Sequence, residues 1–122
     1  MVIKDAVKKQ IYQHAESEYP KECCGVLMGY RNTLSICEAV PVINMDEGNR
    51  KNDHFAMNSL EIYKIERDAE KRGLDVMGFY HSHGDHPAIP SKEDRRYMIP
   101  GCLYVIVSVI QGQCVDLQTY KG

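Results

Sequence analysis

The run CLYVIVSVI, residues 102–110, is the segment that most restricts how this chain can fold. It is almost uninterruptedly apolar and rich in β-branched residues, which favours an extended strand. A strand with so little polar surface belongs in a largely buried sheet with helices packed on it. The run therefore predicts a fold that combines helices and a mostly buried sheet.

The remaining elements fit an α+β, or mixed α/β, class. An amphipathic pattern predicts a first helix over residues 2–18, ended by Pro20. A second helix is predicted to begin at Asn58 or Ser59 and to stop at Gly73. Further strands are predicted for GVLMGY, TLSICEAVPVIN, LDVMGFYHS and CVDLQTY. The last of these is expected to pair with CLYVIVSVI through a QGQ turn. SKEDRRYM predicts a short third helix.

Length and charge exclude several classes of protein. With 122 residues, the chain has the size of one domain, residues 1–122. The net charge of -2, from 15 basic and 17 acidic side chains, provides no basic patch for nucleic acid or for a membrane surface. No stretch approaches the roughly 20 apolar residues that cross a bilayer. We therefore expect a cytoplasmic protein without nucleic-acid or membrane partners.

The cysteines predict neither a disulfide framework nor a structural zinc site. Their number is odd and most lie inside apolar runs, as small buried side chains do. The adjacent pair at 23 and 24 is not a CxxC motif, and no second pair completes a four-thiolate zinc site. The five are Cys23, Cys24, Cys37, Cys102 and Cys114.

A polar stretch, YHSHGDHPAIPSKEDRRYM at residues 80–98, follows directly on a predicted buried strand. His81 and His83 are two residues apart, so on a strand they project from one face, with Cα atoms about 6–7 Å apart. Hydrolytic zinc sites usually take three histidine or carboxylate ligands and keep one position open. The pair therefore predicts part of a metal site that needs a third ligand.

Asp94 is the candidate for that third ligand. PSKED has the pattern of a helix start, with Ser91 as the N-cap and Asp94 at the third helical position. Taken alone, this pattern favours a simple capping box. Beside a histidine pair on one face of a strand, it favours a ligand. His86, in the loop between, is expected to face substrate or solvent and not to bind the metal.

The other polar residues nearby are not expected to bind metal. Asp85 and Glu93 are expected to be solvated, and Tyr80 is expected to pack into the core from the opposite face of its strand. His14 and His54 have no visible partner in the sequence pattern and are interpreted as non-ligands.

Glu22 is a candidate for the base that a hydrolytic metal site requires. It lies between Pro20 and a predicted buried strand that begins near Cys24, where a carboxylate can be held rigidly. Physical reasoning alone favours an exposed glutamate here, because glutamate is rarely buried without a partner. The residues by themselves leave the role of Glu22 open.

ECCGVLMG, followed by HSHGDHPAIPSKED, resembles the JAMM (MPN-plus) metallopeptidases. Their signature is a glutamate ahead of C-G-x-L-x-G, then H-[ST]-H, seven residues, a serine, two residues and an aspartate. This sequence fills every signature position, with Glu22, Cys24, Gly25, Leu27, Gly29, His81, Ser82, His83, Ser91 and Asp94.

The resemblance implies roles for five of these residues. His81, His83 and Asp94 would hold one zinc ion, Glu22 would be the general base, and Ser91 would donate a hydrogen bond to the oxyanion. It also implies the MPN fold, a mixed sheet with helices that is similar to the cytidine deaminase scaffold. Deaminase chemistry is disfavoured, because the H-x-E and P-C-x-x-C signature is absent.

The resemblance further implies a stand-alone prokaryotic zinc peptidase or isopeptidase. Its substrates would be bonds that follow the C-terminal diglycine of ubiquitin-like proteins, sulfur carriers among them, and the loop from Asn44 to Asn58 would grip that tail. Two alternatives stay open: a non-catalytic MPN-type binding or scaffold module, and a zinc hydrolase of a small amide. The oligomeric state is also open, a homodimer included.

Overall fold

The computed structural model describes residues 1–46 and 56–122. The elements along these residues are β1 Val2–Ile3, α1 Asp5–Glu18, β2 Cys24–Tyr30, β3 Ser35–Val42, α2 Ser59–Lys71, β4 Asp75–Gly84, α3 Lys92–Arg96, β5 Leu103–Ile110 and β6 Gln113–Lys121. Six strands of this part of the chain form one sheet, in the order β1-β3-β2-β4-β5-β6. The predicted tail-gripping loop lies mostly outside the described residues, and His54 lies wholly outside them.

The sheet is mixed, as the sequence predicts. β4 runs antiparallel to β2 and parallel to β5, and β6 returns antiparallel beside β5. β5 is buried from Leu103 to Val109, in agreement with its apolar sequence. The turn into β6 has positive φ at Gln111 and Gly112, which is the geometry of a two-residue hairpin turn.

Two hydrophobic clusters cover the two faces of the sheet. The first joins α1 to one face and includes Val7, Ile11, Ala15, Leu27, Tyr80 and Val105. The second joins α2 to the other face and includes Cys24, Val26, Met28, Ala69, Ile65 and Phe79. Because neighbouring strand residues point to opposite faces, His81 and His83 share the α2 face with Phe79. Tyr80 is 1% exposed in the first cluster, which confirms its predicted place in the core.

The first helix begins later than its sequence pattern predicts. Val2 and Ile3 are extended and pair in parallel with Ser35 and Ile36 of β3, and α1 starts at Asp5. The prediction of a helix from residue 2 was therefore wrong for its first residues. Hydrogen bonding to a sheet edge outweighs a helical pattern at that position, since propensity is a weak prior beside tertiary contacts.

The second helix has the predicted ends. The Asn58 side chain accepts hydrogen bonds from the backbone nitrogens of Leu60 at 2.8 Å and Glu61 at 3.3 Å, so it is the N-cap. Gly73 follows the helix with a φ of 72°, the left-handed conformation that favours glycine after a C-terminus.

None of the helices within residues 1–46 and 56–122 combines the length and the apolar character that crossing a membrane requires.

Gly78 is predicted to be essential for the close contact of β4 with β5. A Cβ atom at this position would lie 1.8 Å from the carbonyl oxygen of Leu103, a backbone atom of the paired strand. We expect Gly78→Ala to lower the free energy of unfolding by about 3 kcal/mol or more, at the upper end of overpacking effects. Urea denaturation measures this loss.

Gly73→Ala is the matched control, because a Cβ atom there meets nothing within 4 Å. Its left-handed φ alone should reduce stability by about 1–2 kcal/mol. Equal losses in the two variants would contradict the steric explanation for Gly78.

Candidate metal centre

The two histidines predicted as ligands converge at the end of β4. His81 is 3% exposed and His83 is 9% exposed, and both lie beyond Phe79 on the α2 face. Their Nε2 atoms are 3.2 Å apart. The same-face placement expected from their spacing is therefore observed.

Asp94 brings a carboxylate to the same point from α3. Its Oδ2 atom lies 3.2 Å from Nε2 of His81 and 3.1 Å from Nε2 of His83. The same oxygen accepts a hydrogen bond from the backbone nitrogen of Ser91 at 2.9 Å, and Ser91 Oγ accepts from the nitrogen of Asp94 at 3.0 Å. The capping box and the convergence with the histidines therefore occur together. The helix cap fixes the oxygen that approaches the two rings.

Hydrogen bonding around His83 shows that these three groups suit a cation. Nδ1 of His83 lies 2.9 Å from the carbonyl oxygen of Pro87, which can only accept, so Nδ1 carries the proton. In the neutral ring, Nε2 then presents a lone pair to a carboxylate oxygen, which is also an acceptor. Two acceptors at 3.1 Å require a proton or a metal ion between them.

The three distances agree with tetrahedral coordination. Ligand atoms about 2.0–2.1 Å from a zinc ion are about 3.3–3.4 Å from one another in a regular tetrahedron. The observed separations of 3.1 and 3.2 Å between the two Nε2 atoms and Oδ2 are close to these edges. The chemistry and the spacing of this group therefore fit zinc with one open position.

The charges at the site reinforce one another. Burial works to raise the pKa of Asp94, but hydrogen bonds from His81 and His83 outweigh it and hold that pKa far below its usual range. Burial lowers the pKa of His81 and so favours the neutral ring that binds metal. For His83 burial acts in the same direction, but the contact with Asp94 prevails and raises its pKa. The Asp94 carboxylate and the neutral His81 ring are therefore in forms that bind a cation, whereas a metal ion has to displace the proton that Asp94 favours on His83.

Glu22 lies at the same site and is buried, with 5% exposure. A carboxylate oxygen of Glu22 lies within 4.8 Å of ring nitrogens of His81 and His83. Oδ2 of Asp94 contacts both Nε2 atoms at 3.1 to 3.2 Å, and the Glu22 carboxylate belongs to the same group of side chains. The exposed glutamate that physical reasoning alone favoured is therefore not observed.

Asn44 connects Glu22 to the chain beyond β3. Its Nδ2 donates to the carbonyl oxygen of Glu22 at 2.9 Å. Its Oδ1 accepts from the nitrogens of Asp46 at 3.0 Å and Ala56 at 3.1 Å. Asn44 thereby joins both flanks of the segment that the predicted tail-gripping loop spans. The sequence analysis identified Asn44 only as the start of that loop.

The loop between His83 and Ser91 is held through its backbone carbonyls. Ser108 Oγ donates to the oxygen of His86 at 2.6 Å, and the Tyr120 hydroxyl donates to the oxygen of Ala88 at 2.5 Å. Neither donor was predicted from the sequence. A signal for Ser108 was present, because it is the one serine on an otherwise apolar or aromatic, buried strand. The sequence around Tyr120 contained no such signal.

Two neighbouring polar residues have partners that the sequence pattern does not show. Asp85 is exposed, as expected, and it also accepts from the nitrogen of Gln111 at 2.8 Å and the hydroxyl of Tyr19 at 2.7 Å, which lower its pKa. His14, for which the sequence showed no partner, has its Nδ1 2.8 Å from the hydroxyl of Tyr80. Both contacts join residues remote in sequence.

His86 and Glu93 are exposed, as expected for solvated side chains. All five cysteines are free, and burial raises the pKa of Cys23 and Cys24 to about 12, so neither is a thiolate nucleophile near neutral pH.

A cavity of about 750 Å³ opens beside the candidate ligands. Its apolar wall includes Phe79 and Tyr104, whose rings stack with centroids 5.9 Å apart. The Tyr104 hydroxyl accepts from the nitrogen of Ile99 at 2.6 Å and so holds the chain that follows α3. The polar end of the cavity is formed by Glu22, His81, Ser91 and Asp94.

Ser91 combines two useful features at this polar end. Its Oγ accepts from the nitrogen of Asp94, which leaves the hydroxyl hydrogen to donate to a ligand. It also lines the cavity beside His81. The position suits a donor aimed at negative charge that develops next to a bound metal ion.

Comparison with known proteins identifies relatives along nearly the whole chain. The family model described as prokaryotic homologs of the JAB domain (Prok-JAB) matches residues 4–120. A desampylase of Haloferax volcanii is 33% identical over 106 residues, which cover 86% of this chain and 75% of that protein.

Solved structures share the fold. Protein DSY2949 from Desulfitobacterium hafniense superposes with a TM-score of 0.78 at 25% identity, covering 98% of this chain and 89% of that one. AF2198, a JAB1/MPN domain protein from Archaeoglobus fulgidus, superposes with a TM-score of 0.65 at 21% identity, covering 99% and 89%. The predicted MPN fold is therefore confirmed.

We expect the purified protein to bind one zinc ion per chain. His81→Ala should remove most of the metal, and so should Asp94→Asn, which keeps an oxygen for the helix cap but loses the charge that binds the ion. His86→Ala is the matched control and should retain the metal. Elemental analysis after gel filtration measures the stoichiometry. Full zinc occupancy in Asp94→Asn would show that this residue is a helix cap only.

Proposed function

The chain belongs to the Prok-JAB family of JAB-domain proteins, and from this premise we propose that it is a zinc-dependent isopeptidase that releases ubiquitin-like proteins. This membership confirms the resemblance to JAMM metallopeptidases that the sequence analysis drew, and a JAMM-type protein is a zinc hydrolase. The observation that carries the proposal is the convergence of His81, His83 and Asp94 within 3.2 Å, with the Glu22 carboxylate beside them.

Each site residue has a role that its position supports. His81, His83 and Asp94 would hold the zinc ion, which when bound polarises a carbonyl group and makes water a stronger nucleophile. Glu22 would take the proton of the attacking water and deliver it to the leaving amine. Ser91 would donate a hydrogen bond to the carbonyl oxygen as negative charge develops there.

A ubiquitin-like protein with a C-terminal diglycine is the substrate we propose. The relative from Haloferax volcanii is named a desampylase, and this name supports a protein modifier as the substrate class. Glu22 and His81 are buried where they line the cavity, so a scissile bond must enter on an extended chain. Glycine residues pass such an entry most easily because they have no side chains. Sulfur carriers are one group of proteins with this kind of tail.

The chain around β3 offers a place for the rest of the tail. Within the described residues, β1 pairs with β3 at Ser35 and Ile36, so the rest of β3, which contains Pro41, is an edge of the sheet. After β3 the chain leads through Asn44 to Asp46, which lines the cavity. An extended peptide could pair its backbone with this segment. Residues 1–122 would act as one catalytic domain in the cytoplasm.

Glu22→Gln is expected to keep the fold and the zinc but to lower turnover at least about a hundredfold, since the amide cannot accept a proton. Ser91→Ala should lower turnover about 10²- to 10³-fold, as removal of an oxyanion donor does. It should keep zinc, because the bond to Asp94 Oδ2 comes from the Ser91 backbone. Steady-state kinetics per bound zinc measure both effects. If Glu22→Gln lost zinc but kept normal turnover per bound zinc, Glu22 would be a metal ligand and not the base.

A carrier protein ending in Gly-Gly-X should be cleaved after the second glycine, as mass spectrometry of the products would show. Replacing the penultimate glycine by valine should abolish cleavage, because a β-branched side chain meets the walls of the entry. A chelator should also abolish cleavage, whereas serine- and cysteine-directed inhibitors should have no effect. Equal cleavage of the valine carrier would refute the diglycine requirement and favour a hydrolase of small amides.

A further inference from the structure

Ser82 lies between the two histidines but faces the opposite side of β4. Side chains alternate along a strand, so Ser82 points to the α1 face while His81 and His83 point to the α2 face. Ser82 is 1% exposed. Its Oγ accepts a hydrogen bond from the nitrogen of Cys23 at 2.8 Å, and its own nitrogen donates to the oxygen of Cys23 at 3.1 Å. Ser82 therefore binds the residue that directly follows Glu22 at two points.

The peptide group between Glu22 and Cys23 is held at both ends. Its carbonyl oxygen, that of Glu22, accepts from Asn44 Nδ2 at 2.9 Å. Its N–H group, that of Cys23, donates to Ser82 Oγ at 2.8 Å. A peptide group is planar, so a hydrogen bond at each end determines the orientation of the whole plane. That orientation sets the direction in which the Glu22 side chain leaves the backbone.

We propose that Ser82 is a positioning residue that fixes the Glu22–Cys23 peptide plane and thereby directs the Glu22 carboxylate at the metal centre. This inference rests on the proposed function, in which Glu22 moves the proton. Ser82 does not touch the metal ligands from its own face and acts on the reaction only through Glu22.

Other contacts attach the same segment without reaching the peptide plane. The Tyr19 hydroxyl donates to Oδ2 of Asp85 at 2.7 Å. The carbonyl oxygen of Pro20 packs so closely on Gly84 that an added Cβ atom would lie 2.9 Å away. Removing the Ser82 hydroxyl should therefore leave the chain attached beside β4. The one expected change is that the Glu22–Cys23 peptide plane can rotate.

Ser82→Ala should keep one zinc per chain and lower kcat about ten- to a hundredfold with little change in KM, the effect expected when a reacting group is misplaced by about 1 Å. Ser82→Thr retains the hydroxyl and should recover the activity. Tyr19→Phe is the control: it removes a hydrogen bond from the same segment and should lower Tm without lowering kcat.

A double-mutant cycle with Glu22→Gln separates positioning from general destabilisation. If Ser82 acts through Glu22, Ser82→Ala should lower kcat no further in the Glu22→Gln background. If Ser82→Ala lowered kcat by the same factor in both backgrounds, the proposal would be overturned. Loss of zinc from Ser82→Ala would also overturn it, because Ser82 would then position the histidines and not Glu22.

Amide hydrogen exchange gives a readout that does not need turnover. In Ser82→Ala, exchange at Cys23 should be faster, while exchange across the rest of the β2–β4 pairing stays unchanged. Wild-type protein that cleaves no modifier conjugate would refute the proposed function and leave this exchange test intact. Unchanged exchange at Cys23 would refute the role of Ser82 even in an active enzyme.

Discussion

The antiparallel pairing of β2 with β4 is the contact on which the candidate site depends. Its register sets Cys24 opposite His81, so the chain just before β2 passes beside the end of β4 that carries the histidines. Gly25 makes this register possible, because a Cβ atom there would lie 2.1 Å from the ring of Tyr80. A slip by one residue would turn every side chain of β4 to the opposite face and separate the histidines from Glu22.

Asp94 shows how a local motif and a functional group can share one side chain. A helix of five residues is too short to be stable by itself, and α3 depends on its cap and on tertiary contacts. The cap places Oδ2 of Asp94 against the Ser91 nitrogen, and the same placement brings it to both imidazoles. The bond that stabilises the helix therefore also orients the carboxylate, as supporting hydrogen bonds do for metal ligands in general.

Buried polar groups are concentrated at this one place in the described chain. Glu22, His81, Ser82, His83 and Ser108 are its buried polar residues, and each has a position in or directly behind the candidate centre. Burying such groups destabilises a fold unless hydrogen bonds or a cation compensate. Backbone carbonyls, serine hydroxyls and the Asp94 carboxylate supply part of that compensation, and a zinc ion would supply more by binding ligands that only the folded chain brings together.

The sequence by itself determined the features that depend on local periodicity. These are the shared face of His81 and His83, the caps at Asn58 and Ser91, the buried strand β5 and its hairpin with β6. Spacing also made His81, His83 and Asp94 candidate ligands, whereas the role predicted for Glu22 came from the family signature. Only the tertiary structure decided the extended start of the chain, the partner of His14, the contacts of Asp85, and the placement of Asn44, Ser82 and Ser108 around the site. The physical reason is that each of these contacts joins backbone or side-chain atoms remote in sequence, and strand register, which no local pattern encodes, determines which of them meet.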